Sequence, residues 1–301
     1  MRRGVSIALA ALACALGAGA ATAADEGINW VDTLPPIDTA GDVQPGPLPH
    51  CKKQRPKCVR VVIRRLRSLQ TNLGCDHRAV FATTYLTLTE VYLEQLRADP
   101  PLALQDPKYL YSEDAHFAAY YFKTLKADER GARIPPAWRI ALDTARSGEV
   151  NGAQDMLLGI NAHVQSDMPF VLADLGLETP DGKSRKPDHD AVNAVLDAAY
   201  QRVVDEVSRR YDPLVAQTNS EANPLDDAAG LELVRSWREQ VWRNAERLTN
   251  AKSEAEREQV AESIESYAAD WARGIASLQT PGDRVRRDAY CQSQLVGQPS
   301  G

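Results

Sequence analysis

Apolar residues recur at three- and four-residue spacing almost without a break from residue 57 to residue 280, and strand-like alternation never lasts more than a few residues. That period confines the chain to amphipathic helices packed against one another. Val59, Val62, Ile63, Leu66 and Leu69 make the first stripe, opened by Pro56 near the first helical turn. A second helix is predicted over 76–98, stopped by Pro100 and Pro101, and a third over 112–130 with Ser112 as its cap. Pro135 and Pro136 open a fourth that ends by Gly148. The fifth segment, 151–176, contains Pro169, which removes a backbone donor and clashes one turn back, so two helical pieces are expected there.

After a polar loop over 179–187, a long helix carries Val192, Val195, Leu196, Ala199, Val203 and Val207 on one face. The last two helices, 228–250 and 253–279, meet at Ser253 with Glu256 three residues on, a capping box. Val260, Ile264, Tyr267, Trp271, Ile275 and Leu278 form a seam that should close them into a hairpin. No fixed-length repeat and no composition break divides this stretch. The expectation is an all-α fold: one globular domain of seven or eight helices over 57–280, followed by an irregular tail, 281–301.

Ahead of the helices, residues 24–56 read as an extended arm rich in Pro and Gly, with Pro at 35, 36, 45, 47, 49 and 56. Ahead of the arm, Arg2 and Arg3, an apolar run from Val5 to Ala20 and the small residues Ala21-Thr22-Ala23 read as an export signal, residues 1–23, cut near Ala23. The apolar run is too short to span a bilayer. The expected address is therefore secreted or cell envelope. Lys and Arg number 35 against 41 Asp and Glu, a net charge of -6 that loss of Arg2 and Arg3 deepens to -8. Such a balance argues against a nucleic-acid partner. Lys57, Arg60, Arg64 and Arg67 nonetheless make a basic stripe on the outer face of the first helix. It reads mainly as a solvated face, with contact to an anionic surface as the functional alternative.

Four cysteines follow the leader, Cys51, Cys58, Cys75 and Cys291, and an even number in an exported chain favours two disulfides over reactive thiols. No C-x-x-C is present, and the spacing matches no structural zinc module. Cys58 and Cys75 at the two ends of one helix would lie about 25 Å apart, far beyond the reach of a bridge. That leaves Cys51–Cys58 with Cys75–Cys291, the preferred pairing, or Cys51–Cys75 with Cys58–Cys291.

The strongest chemical feature is the run Gly159 to Pro169, in which His163 and Asp167 stand one helical turn apart on the face of Met156 and Ile160. An imidazole and a carboxyl at that spacing can offer a nitrogen and an oxygen to one divalent cation such as zinc. The plainer reading is a buried hydrogen-bonded pair. His77 begins a helix whose inward stripe runs through Phe81, Thr84, Leu88 and Val91, so it too points at the core. Asp114 is the fourth candidate for the cluster, although Glu113, Asp114 and His116 read first as residues suited to a helix start. Asp188-His189-Asp190 reads first as capping, and His50 lies in the arm. No G-x-S-x-G, P-loop, dinucleotide fingerprint, H-E-x-x-H or S-x-x-K occurs.

Five segments together carry a resemblance: 74–82, 134–139, 159–169, 184–190 and 237–246. They resemble an uncharacterised, largely actinobacterial family known only as a domain of unknown function, over nearly all of the chain after the arm. The resemblance implies an α-helical fold and no established activity. The H-x-x-x-D turn is also similar to one element of the all-helical zinc phospholipases C and related nucleases. Those enzymes use an N-terminal Trp ligand and more histidines than this chain has, whereas Trp30 here lies inside the arm. Two functions are thus in contention. One is a non-catalytic envelope or extracellular protein; the other is a metal-dependent hydrolase of ester or phosphoester bonds using His77, His163, Asp167 and Asp114.

Overall fold

A computed structural model describes residues 51, 53–99, 102–217, 225–278 and 283–296; the expected leader and nearly all of the arm, including His50, lie outside them. The helices are α1 (Pro56–Leu73), α2 (Arg78–Gln95), α3 (Pro107–Asp128), α4 (Pro136–Ser147), α5 (Gly152–Asn161), α6 (Met168–Leu175), α7 (Lys186–Arg210), α8 (Leu214–Gln217), α9 (Leu225–Asn250), α10 (Glu254–Ser277) and α11 (Asp283–Val296). A π-helical turn, Ala162–Asp167, joins α5 to α6. Among the described residues the only pairing of strand type is one isolated bridge, Glu178 to Ser184, so the all-α reading holds. No described helix is long and apolar enough to cross a membrane.

Helix α2 lies at the centre, packed against α1, α7 and α5. Its sequence is apolar or small on nearly every side, and Val80, Phe81, Tyr85, Leu86 and Val91 are all buried. By contrast α1 buries one stripe, Val59, Val62, Leu66 and Gln70, and leaves Lys57, Arg60, Arg64 and Arg67 exposed. Arg67 is tied to Glu90 of α2 at 2.5 Å. Helix α10 runs along α4, α5 and the π turn, while α9 covers α6. The short connection 251–253 folds α10 back on α9, where Trp237 and Trp271 meet edge to face with centroids 5.3 Å apart. Of the expected seam, Val260, Ile264, Tyr267 and Ile275 are buried, whereas Trp271 is half-buried and Leu278 is exposed at the helix end.

Helix α3 begins at Pro107, five residues before the expected start. Asp106 caps it by accepting from the Tyr109 amide at 3.2 Å. Ser112 is therefore inside the helix, and its hydroxyl donates to the Cys51 carbonyl at 3.2 Å. The tail 281–301, expected to be irregular, instead contains α11 over Asp283–Val296. Its sequence is largely polar, with Arg287 and Cys291 buried at i, i+4, so no apolar stripe marks it as a helix. The expected capping box is half formed. Ser253 Oγ accepts from the Glu256 amide, while Glu256 accepts from the Lys252 amide one residue early. A complete box sits instead at Asn151 and Gln154.

The disulfides pair Cys51 with Cys58 and Cys75 with Cys291, Cα atoms 5.7 and 5.8 Å apart. The second ties α11 to the start of α2. Arg287, fully buried, donates to the Cys75 carbonyl at 2.5 Å and lies over the Tyr211 ring at 5.7 Å.

Candidate functional site

Pro169 stands in the first turn of α6, where its missing N–H costs nothing, and the chain widens into a π turn just before it. The Met168 amide closes that turn on the His163 carbonyl. Both His163 and Asp167 lie within it and face the core, 2% and 0% exposed. His163 Nδ1 and Asp167 Oδ2 are hydrogen-bonded at 2.8 Å, and Trp138 Nε1 of α4 donates to the same oxygen at 2.9 Å. The sequence alone does not foretell the indole partner. A buried indole N–H needs an acceptor, but no spacing rule says which carboxyl supplies it.

The His163 ring stacks on Phe117 at 3.4 Å and 2°, with Tyr85 edge-on at 4.7 Å. Tyr121, Trp138 and Phe81 complete the enclosure at 5.7, 5.8 and 5.9 Å. His163 Nε2 and Asp167 Oδ1 are buried and have no hydrogen-bond partner. Burial pushes the imidazole well below its ordinary pKa and the Asp167 carboxyl well above its own. The pair therefore resists carrying charge. Around it the π turn is pinned to α10: Ser166 donates to Glu265 at 2.8 Å and Asn161 to the Ala268 carbonyl at 2.9 Å.

His77 is buried as expected, but its partners are Asp155 of α5 at 2.5 Å from Nδ1 and Asp288 of α11 at 3.2 Å from Nε2. Burial raises the Asp155 carboxyl to about 6, against the opposing bond to His77. Asp114 is buried on α3, and its Oδ2 has no hydrogen-bond partner. The four proposed cation ligands thus divide among separate surroundings. Among the described residues no group of three or more His, Cys, Asp or Glu could hold a metal ion. His116 bonds to the Ser112 carbonyl within its own helix, and His189 to the Arg238 carbonyl. Asp188 does cap, though not its own helix: it accepts from the Gln105 and Asp106 amides ahead of α3.

A family of unknown function (DUF5995) has a model that matches residues 59–278, most of the chain. The chain belongs to that family. No curated protein and no solved structure matches this member. The matched span covers Trp138, His163, Asp167 and the α3 carboxyls, and leaves Cys51, Cys58 and α11 outside it.

Glu113 and Asp114 border a cavity of about 70 Å³ between α2, α3, α7, α9 and the π turn. Burial is the main cause that lifts Glu113 to about 7, opposed by Arg238. Burial, then the Glu113 charge, lifts Asp114 to about 8. A carboxyl whose folded pKa lies above its unfolded value binds its proton more tightly in the native state. Stability is then fully present below the unfolded value and is lost as pH rises through the folded one. The buried neutral imidazoles of His163 and His189 act in the opposite sense over this range, so the carboxyls are read as a difference: from about pH 5 to about pH 8.5 the Tm of wild type should fall relative to that of Glu113→Gln/Asp114→Asn. A difference between wild type and variant that is flat or rises over that range would contradict the burial of ionisable carboxyls.

Proposed function

We propose that the protein acts outside the cytoplasm, after removal of a leader near Ala23, as a non-catalytic envelope or extracellular protein. In this reading His163, Asp167 and Trp138 form a structural network that locks α4, the π turn and α3 together. The enclosure of the His163 ring carries it: stacked face to face on Phe117 and 2% exposed, the imidazole offers no surface to a substrate. The hydrolase reading would need His77, His163, Asp167 and Asp114 on one cation that lowers the pKa of a bound water. His77 is instead engaged by Asp155 and Asp288. Two disulfides suit an oxidising compartment.

Protein recovered from an exported fraction tests both halves. Intact mass should begin at Ala24 with both disulfides formed, and simple ester and phosphodiester substrates should not turn over. A retained leader, an added lipid, or hydrolysis abolished by His163→Ala would sink the reading.

A further inference from the structure

Between α1 and α3 lies a groove of about 360 Å³, none of whose lining residues belongs to the His163 network. It exists because α3 presents small side chains there: Ala115, Ala118 and Ala119 fall on one helix face, at i, i+3 and i+4. Val61 and Phe122, both half-buried, extend the apolar lining. Lys53, Arg55, Lys57 and Arg65 also line the groove, all four exposed, and no Asp or Glu does. Among the described residues none of the four is ion-paired, and Arg65 lies over the Phe122 ring at 5.8 Å. So dense a positive patch stands out on a chain whose net charge is -6. It also gathers at the start of α1, whose first turn holds no acidic residue. Positive charge at a helix N-terminus is unfavourable, so the patch costs stability that a bound anion restores.

We propose that this groove binds a single-chain alkyl phosphate, its head among Lys53, Arg55, Lys57 and Arg65 and its tail against Val61, Phe122 and the three alanines. A phosphate monoester carries a charge of about -1.5 to -2 at neutral pH and three acceptor oxygens. The guanidinium forks of Arg55 and Arg65 suit those oxygens in pairs, and the two lysines add point charges. Size sets the tail. At roughly 30 Å³ for each heavy atom the groove takes about twelve, a phosphate head and a tail of about seven carbons. Residues 24–50 carry five Asp or Glu and no Lys or Arg, so the chain's own acidic segment is the competing occupant. A space for about twelve heavy atoms would take only about one or two of its residues, which favours the small ligand. The groove shares no residue with the His163 network, so the proposal stands or falls apart from the non-catalytic reading.

The test is calorimetric titration of the exported full chain with monomeric n-heptyl phosphate near pH 7.5, where the head is largely doubly charged. Inorganic phosphate and heptan-1-ol serve as head alone and tail alone. Saturable binding of the alkyl phosphate is expected, about tenfold or more tighter than either, with a similar loss in Arg55→Gln/Arg65→Gln and no fall in the Tm of that variant. Ring NMR locates the ligand independently of any variant. The chain has 4 phenylalanines, and the Phe122 ring should shift while that of Phe170, buried under α9, should not. Absence of saturable binding overturns the proposal, as does binding that leaves Phe122 unmoved or is unchanged in the variant. Equal binding of inorganic phosphate would make the patch a site for any anion, and equal binding of heptan-1-ol a plain apolar cleft; either overturns it. Binding that appears only after residues 24–50 are cleaved away would assign the groove to that segment and overturn it too.

Discussion

Gly159→Ala is expected to cost about 3 kcal/mol or more and to leave a protein that is poorly folded at 37 °C. A Cβ built on Gly159 would stand 2.2 Å from Phe81 Cγ and 2.6 Å from Phe81 Cβ, where no side-chain contact is tolerated. Phe81 has nowhere to retreat. Its ring is held edge-on by Tyr121 at 5.2 Å and Trp138 at 5.6 Å, and it forms part of the wall around His163. Against this, the gain of about 1 kcal/mol that alanine brings to a helix interior is too small to compensate. Gly274 supplies the control. It lies in α10 with nothing within 4 Å of the place a Cβ would take, so Gly274→Ala should stabilise by up to about 1 kcal/mol. Denaturant melts of the two variants should therefore move in opposite directions, and equal midpoints would contradict the close packing of α5 on α2.

Cys75→Ser/Cys291→Ser should be the second large loss. The bridge closes a loop with a sequence separation of 216, for which chain entropy alone gives about 5 kcal/mol, towards the upper end of the range observed for native disulfides. Its removal also weakens the anchorage of α11, which then depends on side-chain contacts such as Arg287 on the Cys75 and Asp76 carbonyls, Asp288 on His77 and Tyr290 on the Arg209 carbonyl. Cys51→Ser/Cys58→Ser opens a loop with a separation of only 7, worth about half as much by the same reasoning. Chemical denaturation without reductant measures both, and a loss at Cys51–Cys58 equal to or larger than that at Cys75–Cys291 would count against the loop argument.

The elements legible in the sequence are those whose signals are local. Helical spacing locates α1, α2, α4, α7, α9 and α10 within a few residues, and Pro169 marks the break between α5 and α6. The length of α1 excludes a Cys58–Cys75 bridge and leaves two pairings, of which the preferred one is formed. His163 and Asp167 are legible as a pair because one helical turn separates them. Their setting is not, because Trp138 and Phe117 reach them from other helices. His77 shows the same limit: its carboxyl partners lie 78 and 211 residues further on, and no spacing rule joins them. Glu113 and Asp114 resemble residues of a helix start only while Ser112 is taken for the cap. With Asp106 as the true cap and α3 beginning at Pro107, they fall in its interior and turn inward. The polar sequence of α11 conceals a helix whose burial rests on Arg287 and a disulfide.

The most direct test of the central claim, that His163 and Asp167 serve packing and not a cation, is a comparison of melting temperatures with and without chelator for wild type and His163→Ala. The substitution leaves Asp167 short of a partner and removes a stacked ring, so it should cost about 1 to 3 kcal/mol or more under either reading. Chelator separates them, because an ion that binds only the native site raises stability by mass action. The account predicts that chelator leaves the wild-type Tm unchanged and that His163→Ala melts lower by the same amount in both conditions. A wild-type Tm that falls with chelator, while that of His163→Ala does not move, would contradict it and restore the metal site.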